Sequence, residues 1–241
     1  RQYCPMAAAL DLVGDRWALL VVRELMLGPR RFGELAAGLP GVSTDILTAR
    51  LRELQEADVL SRTGAGRRQR YELTRSGQAL RPVLVELARW GSHRLGLPSS
   101  PQDVPPRVAL TALVIDPPNL PAELHGRFQL TADSETAAVQ VAGGRISIDP
   151  TEGEHEQTTV ISLTRPGLLA LLVGARARRL ASSGDLGVSG RRKEAFGLVD
   201  ALRAPSVLVG LQALAGRTGR TPLGTPAAQP TPAAQPTRSD Q

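Results

Sequence analysis

The sequence predicts an α+β chain of two units, and three observations carry that prediction. Residues 30–73 give a short helix, a tight turn, a second helix and then a basic hairpin, RRFGELAAGLPGVSTDILTARLRELQEADVLSRTGAGRRQRYEL. A Pro/Ser-rich stretch, LPSSPQDVPP at 97–106, then interrupts the pattern as a linker does. Beyond it, short alternating runs of apolar and polar residues replace the helical spacing, as in a sheet with one buried face.

In order along the chain, Pro5 to Val13 and Arg16 to Leu27 read as two helices. The second packs through Trp17, Leu20, Val21 and Leu25 and is stopped by Gly28-Pro29. Arg31 to Ala37 is a short helix broken by Gly38 and Pro40-Gly41. Ser43 is the natural N-cap of a fourth helix reaching about Ala57, in which Ile46, Leu47, Leu51 and Leu54 recur at helical spacing. Val59 to Arg62 and Arg70 to Leu73 form strands around the turn Thr63-Gly64-Ala65-Gly66. Thr74 caps a last long helix to about Arg94 with Leu80, Leu84, Leu87 and Trp90 on one face, either docked on its own domain or forming a dimer seam. This order is the sequence form of a winged helix-turn-helix, with one exposed helix face and one cationic loop on the same side, as groove reading requires.

After the linker, Val108 to Ile115 reads as a helix ended by Asp116-Pro117-Pro118. Four short runs follow: Gly126 to Thr131, Thr136 to Ala142, Arg145 to Asp149 and Thr158 to Leu163. Gly143-Gly144 is a two-residue hairpin turn. A helix at Gly167 to Arg178, a strand at Leu186 to Ser189 and a helix at Arg191 to Arg203 complete an α+β unit with an antiparallel sheet. The expected boundaries are 1–97 for the winged domain, 98–106 for the linker, 107–215 for the second domain and 216–241 for a tail. That tail repeats TPAAQP at 225–230 and 231–236, a composition that buries almost nothing and is expected to be disordered.

Charge is unevenly placed. Residues 1–97 carry 15 basic and 10 acidic groups, whereas 98–215 carry 11 and 12, so the nucleic-acid signal lies in the first unit. Only Lys193 among the 29 basic residues is a lysine. Cys4 is the single cysteine, which excludes an internal disulfide and points to a reducing, cytoplasmic setting. No apolar run is long enough to span a bilayer, so no membrane partner is expected. Enzyme readings lack support: His93, His125 and His155 have no metal-ligand spacing, and no nucleophile elbow, phosphate loop or dinucleotide fingerprint is present. Neither a cofactor nor a metal is expected.

On the recognition helix, Ser43, Thr44, Asp45, Thr48 and Arg52 face away from the Leu/Ile stripe. Thr hydroxyls serve phosphates or base edges, and Arg52 can pair with guanine or a phosphate. Asp45 either accepts from a cytosine amino group or, as the favoured reading, caps the helix and orients an arginine. The wing offers Arg67, Arg68 and Arg70 for minor-groove or phosphate contact, and Arg30 with Arg31 lie where a helix N-terminus approaches the backbone.

Residues 1–97 resemble the HxlR family of bacterial winged-helix regulators. The resemblance is carried by CPMAAALDLVGDRWALLVVRELMLGPRRFGELAAGLPGVSTDILTARLRELQEADVLSR and YELTRSG. It implies a homodimeric transcription factor on double-stranded DNA with paired half-sites. It also implies a thiol-switch reading of Cys4, beside which a packing role stays open. The segment 104–203 resembles a sterol carrier protein-type domain through GRFQL, TAAVQVAGGRISI, TTVISLTRPGLLALLVG and SSGDLGVSGRRKEAFGLVDAL, although Arg191 stands where that pattern often has an acidic residue. Such a domain implies a pocket for a hydrophobic small molecule. Phe128, Leu130, Val139, Val141, Ile146 and Ile148 from the sheet would line it, with Leu168, Leu171, Leu172 and Phe196 from the helices. The same residues also suit a closed core. The expected function is a ligand-modulated transcription regulator, the alternative being a sequestering or self-resistance protein for a hydrophobic compound.

Overall fold

The computed structural model describes residues 3–117, 120–149, 158–203, 205 and 208, and of Arg67 the backbone alone. The tail expected from 216 onward lies outside the described residues.

The first unit comprises α1 (Pro5–Val13), α2 (Arg16–Leu25), α3 (Phe32–Gly38), α4 (Thr44–Glu56), β1 (Leu60–Thr63), β2 (Arg70–Leu73), α5 (Arg75–Gln78) and α6 (Arg81–Ser92). Short polar side chains set the helix starts. Asp15 accepts from the Trp17 amide at 2.8 Å, Ser43 from that of Ile46 at 3.2 Å and Thr74 from that of Gly77 at 3.1 Å. The core is one apolar cluster of Val21, Val22 and Leu25 from α2, Leu35 and Leu39, Leu47, Leu51 and Leu54 from α4, and Leu60 and Tyr71 from the wing. The wing strands pair antiparallel from Leu60↔Leu73 to Thr63↔Arg70.

The long helix expected from Thr74 is divided. α5 ends at Gln78 and α6 restarts at Arg81, with Pro82 in its first turn, where a missing N–H costs nothing.

The second unit holds α7 (Pro106–Val114), β3 (Gly126–Ala132), β4 (Glu135–Ala142), β5 (Arg145–Ile148), β6 (Thr159–Leu163), α8 (Arg165–Leu172), α9 (Ala177–Ser182), β7 (Leu186–Ser189) and α10 (Arg192–Leu202). Its sheet runs in the order β5-β4-β3-β6-β7. The expected antiparallel sheet is mixed, because β6 lies parallel to β3, from Phe128↔Thr159 to Ala132↔Leu163. Alternation along a strand reports which face is buried and carries no direction, so the pattern was blind to this pairing. Gly143 and Gly144, at φ 54° and 73°, form the β4–β5 turn as expected. The expected helix 167–178 is two helices, broken around Gly174 at φ 103°.

Helices α7, α8 and α10 cover one face of the sheet. The buried side of the strands is Phe128, Leu130, Ala132, Ala137, Val139, Val141, Ile146, Ile161 and Leu163. The other side carries Gln129, Thr131, Gln140, Ser147 and Ser162, none of them buried.

The two units are packed together. Leu27 belongs to the second core and Ile115 to the first. The Arg81 guanidinium donates to the carbonyls of Ile115 at 2.5 Å and Val114 at 2.7 Å, satisfying the end of α7. Burial pushes Arg81 below the usual guanidinium range, with the Asp116 charge opposing it.

Candidate nucleic-acid interface

Helix α4 is fixed from behind by Leu47, Leu51 and Leu54, so its opposite face is set by helical geometry alone. Ser43 and Thr44 are exposed at its N-terminal turn, and Asp45, Thr48 and Arg52 are exposed along its outer side. Thr48 Oγ1 donates to the Thr44 carbonyl at 2.7 Å, which leaves its oxygen as an acceptor toward the outside. The Arg52 side chain is 74% exposed and reaches Glu56 at 3.6 Å, a surface pair that holds it weakly. Asp45 sits in the first turn and, among the described residues, pairs with no arginine; Ser43 provides the cap, so the expected orienting role is absent. Ile46, assigned above to the buried stripe, is 43% exposed and joins the outer face.

At the wing, Gly64 and Gly66 adopt φ 72° and 54°, and a single 3-10 turn over Gly66–Arg68 closes the tip. Arg68 is exposed there. Arg70 is half-buried and Nη1 donates to the Pro29 carbonyl at 3.4 Å, so it braces the base of the wing. The side chain of Arg67 lies outside the described residues. Arg31 is exposed at the start of α3, its amide donating to Glu34 Oε2 at 2.7 Å.

Arg30 departs from expectation. It is 8% exposed, and its guanidinium donates to Glu24 Oε2 at 2.7 Å and to Glu135 Oε1 at 2.6 Å. A cation paired with two carboxylates below the surface is not placed to meet a phosphate. Glu24 and Arg107, which the sequence reading did not single out, belong to this cluster, as does Arg23, whose Nε and Nη2 donate to Glu24 Oε1 at 3.2 and 2.7 Å. Arg107 donates through Nε and Nη2 to the Glu24 carbonyl at 2.9 and 2.6 Å and through Nη1 to Glu135 Oε2 at 3.2 Å. Burial, and next the Arg30 charge, push Arg107 below the usual guanidinium range, against the pull of Glu135 and Glu24. A signal for Glu24 exists: Trp17, Val21 and Glu24 fall at helical spacing on the face that packs inward, where a carboxylate requires a partner.

In the second unit, Phe128, Leu130, Val139, Val141, Ile146, Leu168, Leu171 and Leu172 are buried in one continuous cluster, with Ile148 and Phe196 packed against its edge. Cys4 is half-buried and extended, the N-cap of α1. Among the described residues no group of three or more His, Cys, Asp or Glu could hold a metal, and no helix is long and apolar enough to cross a membrane.

Residues 12–97 match the family model described as HxlR-like helix-turn-helix. A regulator from Synechocystis sp. is 40% identical over 95 residues, covering 38% of this chain and 70% of the relative. The chain belongs to the HxlR-like helix-turn-helix family. The HTH-type transcriptional regulator YodB of Bacillus subtilis is 36% identical over 94 residues, covering 37% of this chain and 84% of that protein. A matching regulator of Mycobacterium tuberculosis is 42% identical, with 60% of its length covered. Among solved structures, the reduced form of YodB shares 34% identity over 38% of this chain and 94% of its own, with a TM-score of 0.35. Residues 98–241 lie outside the HxlR-like match.

Proposed function

We propose that this HxlR-like chain is a homodimeric transcription regulator that lays α4 in the major groove of double-stranded DNA, one helix per half-site, with the wing on the flanking backbone. The observation that carries the proposal is the outer face of α4. Ser43, Thr44, Asp45, Thr48 and Arg52 stand exposed together on a helix whose other side is locked into the core. Arg52 is the base-reading candidate, Ile46 suits a thymine methyl, and Thr44, Thr48, Arg31, Arg67 and Arg68 suit phosphates or the minor groove. Arg70 serves by holding the wing.

The dimer reading rests on two uncovered apolar faces. In α1 only Val13 is buried, leaving Met6, Leu10 and Leu12 exposed, and α6 leaves out Val83, Leu87 and Trp90. A second copy covering both would remove the apolar surface that a monomer exposes to water.

The C-terminal unit is proposed to modulate DNA affinity, with a hydrophobic small molecule as the ligand class its likeness to sterol carrier domains implies. Such a ligand would have to part the apolar sheet face from α8 and α10, whose side chains are packed into one buried cluster. A coupling of roughly 1–3 kcal/mol gives a 5- to 150-fold change in affinity.

Fluorescence anisotropy of the full chain on duplexes from its own upstream region, against scrambled duplex and over a salt series, tests the reading. Sequence-dependent binding with a steep salt slope is expected. Equal weak binding to every duplex, with and without hydrophobic ligands, overturns it.

A further inference from the structure

We propose that Glu135 and Arg107 are positioning residues for DNA binding: acting through Arg30, they hold the wing and the helix-turn-helix in register, so the C-terminal unit is a working part of the DNA-binding surface. The DNA part of this proposal rests on the regulator reading above; the mechanical part does not.

Arg30 is the link because both its main chain and its side chain are engaged, in opposite directions. Its amide donates to the Tyr71 carbonyl at 2.9 Å and its carbonyl accepts from the Tyr71 amide at 2.7 Å. Residue 30 thus makes a single antiparallel bridge to β2, bracing the wing. Its guanidinium meanwhile bridges Glu24 on α2 and Glu135 on β4. Glu135 opens β4 immediately after the tight turn Asp133-Ser134, where Asp133 is held at φ 52°. The tip of a hairpin in the C-terminal sheet is therefore tied directly to the residue that braces the wing.

The helix-turn-helix meets the same cluster. Gly38 ends α3, and a Cβ there would lie 2.3 Å from Glu24 Oε2 and 3.2 Å from Arg30 Nη1. The carboxylate occupies the space a side chain would need, so the first helix of the motif is seated against the ion cluster. Arg107, near the start of α7, closes the ring by holding Glu135 Oε2 and the Glu24 carbonyl at once.

Glu24 is 1% exposed and Arg30 and Arg107 are 8% exposed each. Without the Glu135 carboxylate, the buried guanidiniums of Arg30 and Arg107 would be left with Glu24, whose Oε1 is already taken by Arg23 at 2.7 Å, and their repulsion would act on the main chain at residue 30. A cleft of about 470 Å³ runs alongside, lined by Arg30, Arg107, Asp133, Glu135 and Arg165 among others. Glu135 is the most solvent-accessible member of the ring, with a side chain 22% exposed. It is the point at which a shift of the β3–β4 turn would loosen the ring.

The test compares the unsubstituted chain with Glu135→Ala and Glu135→Gln. Hydrogen exchange is followed at the Arg30 and Tyr71 amides, with the Val22 amide in the core of α2 as internal control. Affinity is measured on a duplex enriched from random sequence by the unsubstituted chain. For Glu135→Ala, exchange at residues 30 and 71 is expected to rise about tenfold with Val22 unchanged, and DNA affinity to fall about tenfold. Glu135→Gln, which keeps an acceptor oxygen without the charge, is expected to fall between, and it carries the test if the alanine variant does not fold. Unchanged exchange at Tyr71, faster exchange with unchanged affinity, or acceleration that includes Val22 to the same degree would each overturn the proposal. If the unsubstituted chain enriches no duplex, the regulator reading fails instead, and the exchange comparison still decides whether the clamp exists.

Discussion

Arg52 and Arg68 differ in what each would do on DNA, although both are exposed arginines. Arg52 projects from the middle of α4 with only a weak surface partner in Glu56. Arg52→Ala is expected to cost about 1–3 kcal/mol on the preferred duplex and to relax selectivity at one base pair, as measured by competition with singly substituted duplexes. Arg68 is carried by a glycine-rich tip and suits phosphate. Arg68→Ala should weaken all duplexes alike and lower the salt slope by about 0.9, read from anisotropy across a salt series. A third residue tests packing in place of contact. A Cβ on Gly77 would come 2.0 Å from the Val59 carbonyl oxygen, which also accepts from Thr74. A main-chain atom cannot swing aside, so Gly77→Ala should lose about 1–3 kcal/mol or more in urea unfolding.

At the scale of elements, α1 and α6 make the clearest prediction. Leu10 and Trp90 are 58% and 59% exposed, so Leu10→Asp or Trp90→Asp should leave each folded chain intact while shifting sedimentation equilibrium from dimer to monomer. A dimer that survives both substitutions would place the interface elsewhere. Elements were legible in the sequence wherever a local rule set them. Ser43 and Thr74 marked their helix starts, and Gly143-Gly144 marked its turn. Elements failed where apolar spacing ran on through a local breaker, or where the deciding partner was distant. Pro82 and Gly174 each divided a run whose apolar spacing continued through it, and the β3–β6 pairing joins strands with two others between them in the chain. Ile46 was misplaced because a helical stripe read from spacing alone is about one residue wider than the face the core covers.

At the scale of the molecule, the two units are coupled by charge as well as by apolar contact. Leu27 and Ile115 cross the junction, Arg81 holds the end of α7, and the Glu24–Arg30–Arg107–Glu135 ring lies between them. A single calorimetric unfolding transition is therefore expected. Arg107→Ala, which leaves Glu135 with Arg30 alone and the Glu24 carbonyl unsatisfied, should cost about 1–3 kcal/mol and separate that transition into two. One unsplit transition at an unchanged midpoint would count against the coupling. The ring was not legible from sequence because its members are separated by up to more than a hundred positions and only Glu24 sits where a charge is out of place. The exposure of Ser43, Thr44, Asp45, Thr48 and Arg52, by contrast, needed nothing beyond their own helix, and Ile46 was the residue missed.

The seating of α3 against Glu24 bears on how such a chain can be taken apart or recombined. The HxlR-like match ends at residue 97, and a chimera builder would naturally cut there, moving residues 12–97 to a new effector domain. That fragment would carry Glu24 and Arg30 without Arg107 and Glu135, leaving the Glu24 carbonyl without its donors and the Arg30 guanidinium without its outer carboxylate at the surface where the graft must be made. The transferable part is longer than the family boundary. It includes α7 and the β3–β4 turn, and a sensor engineered from this chain would have to bring them along or redesign positions 24, 30 and 38 together.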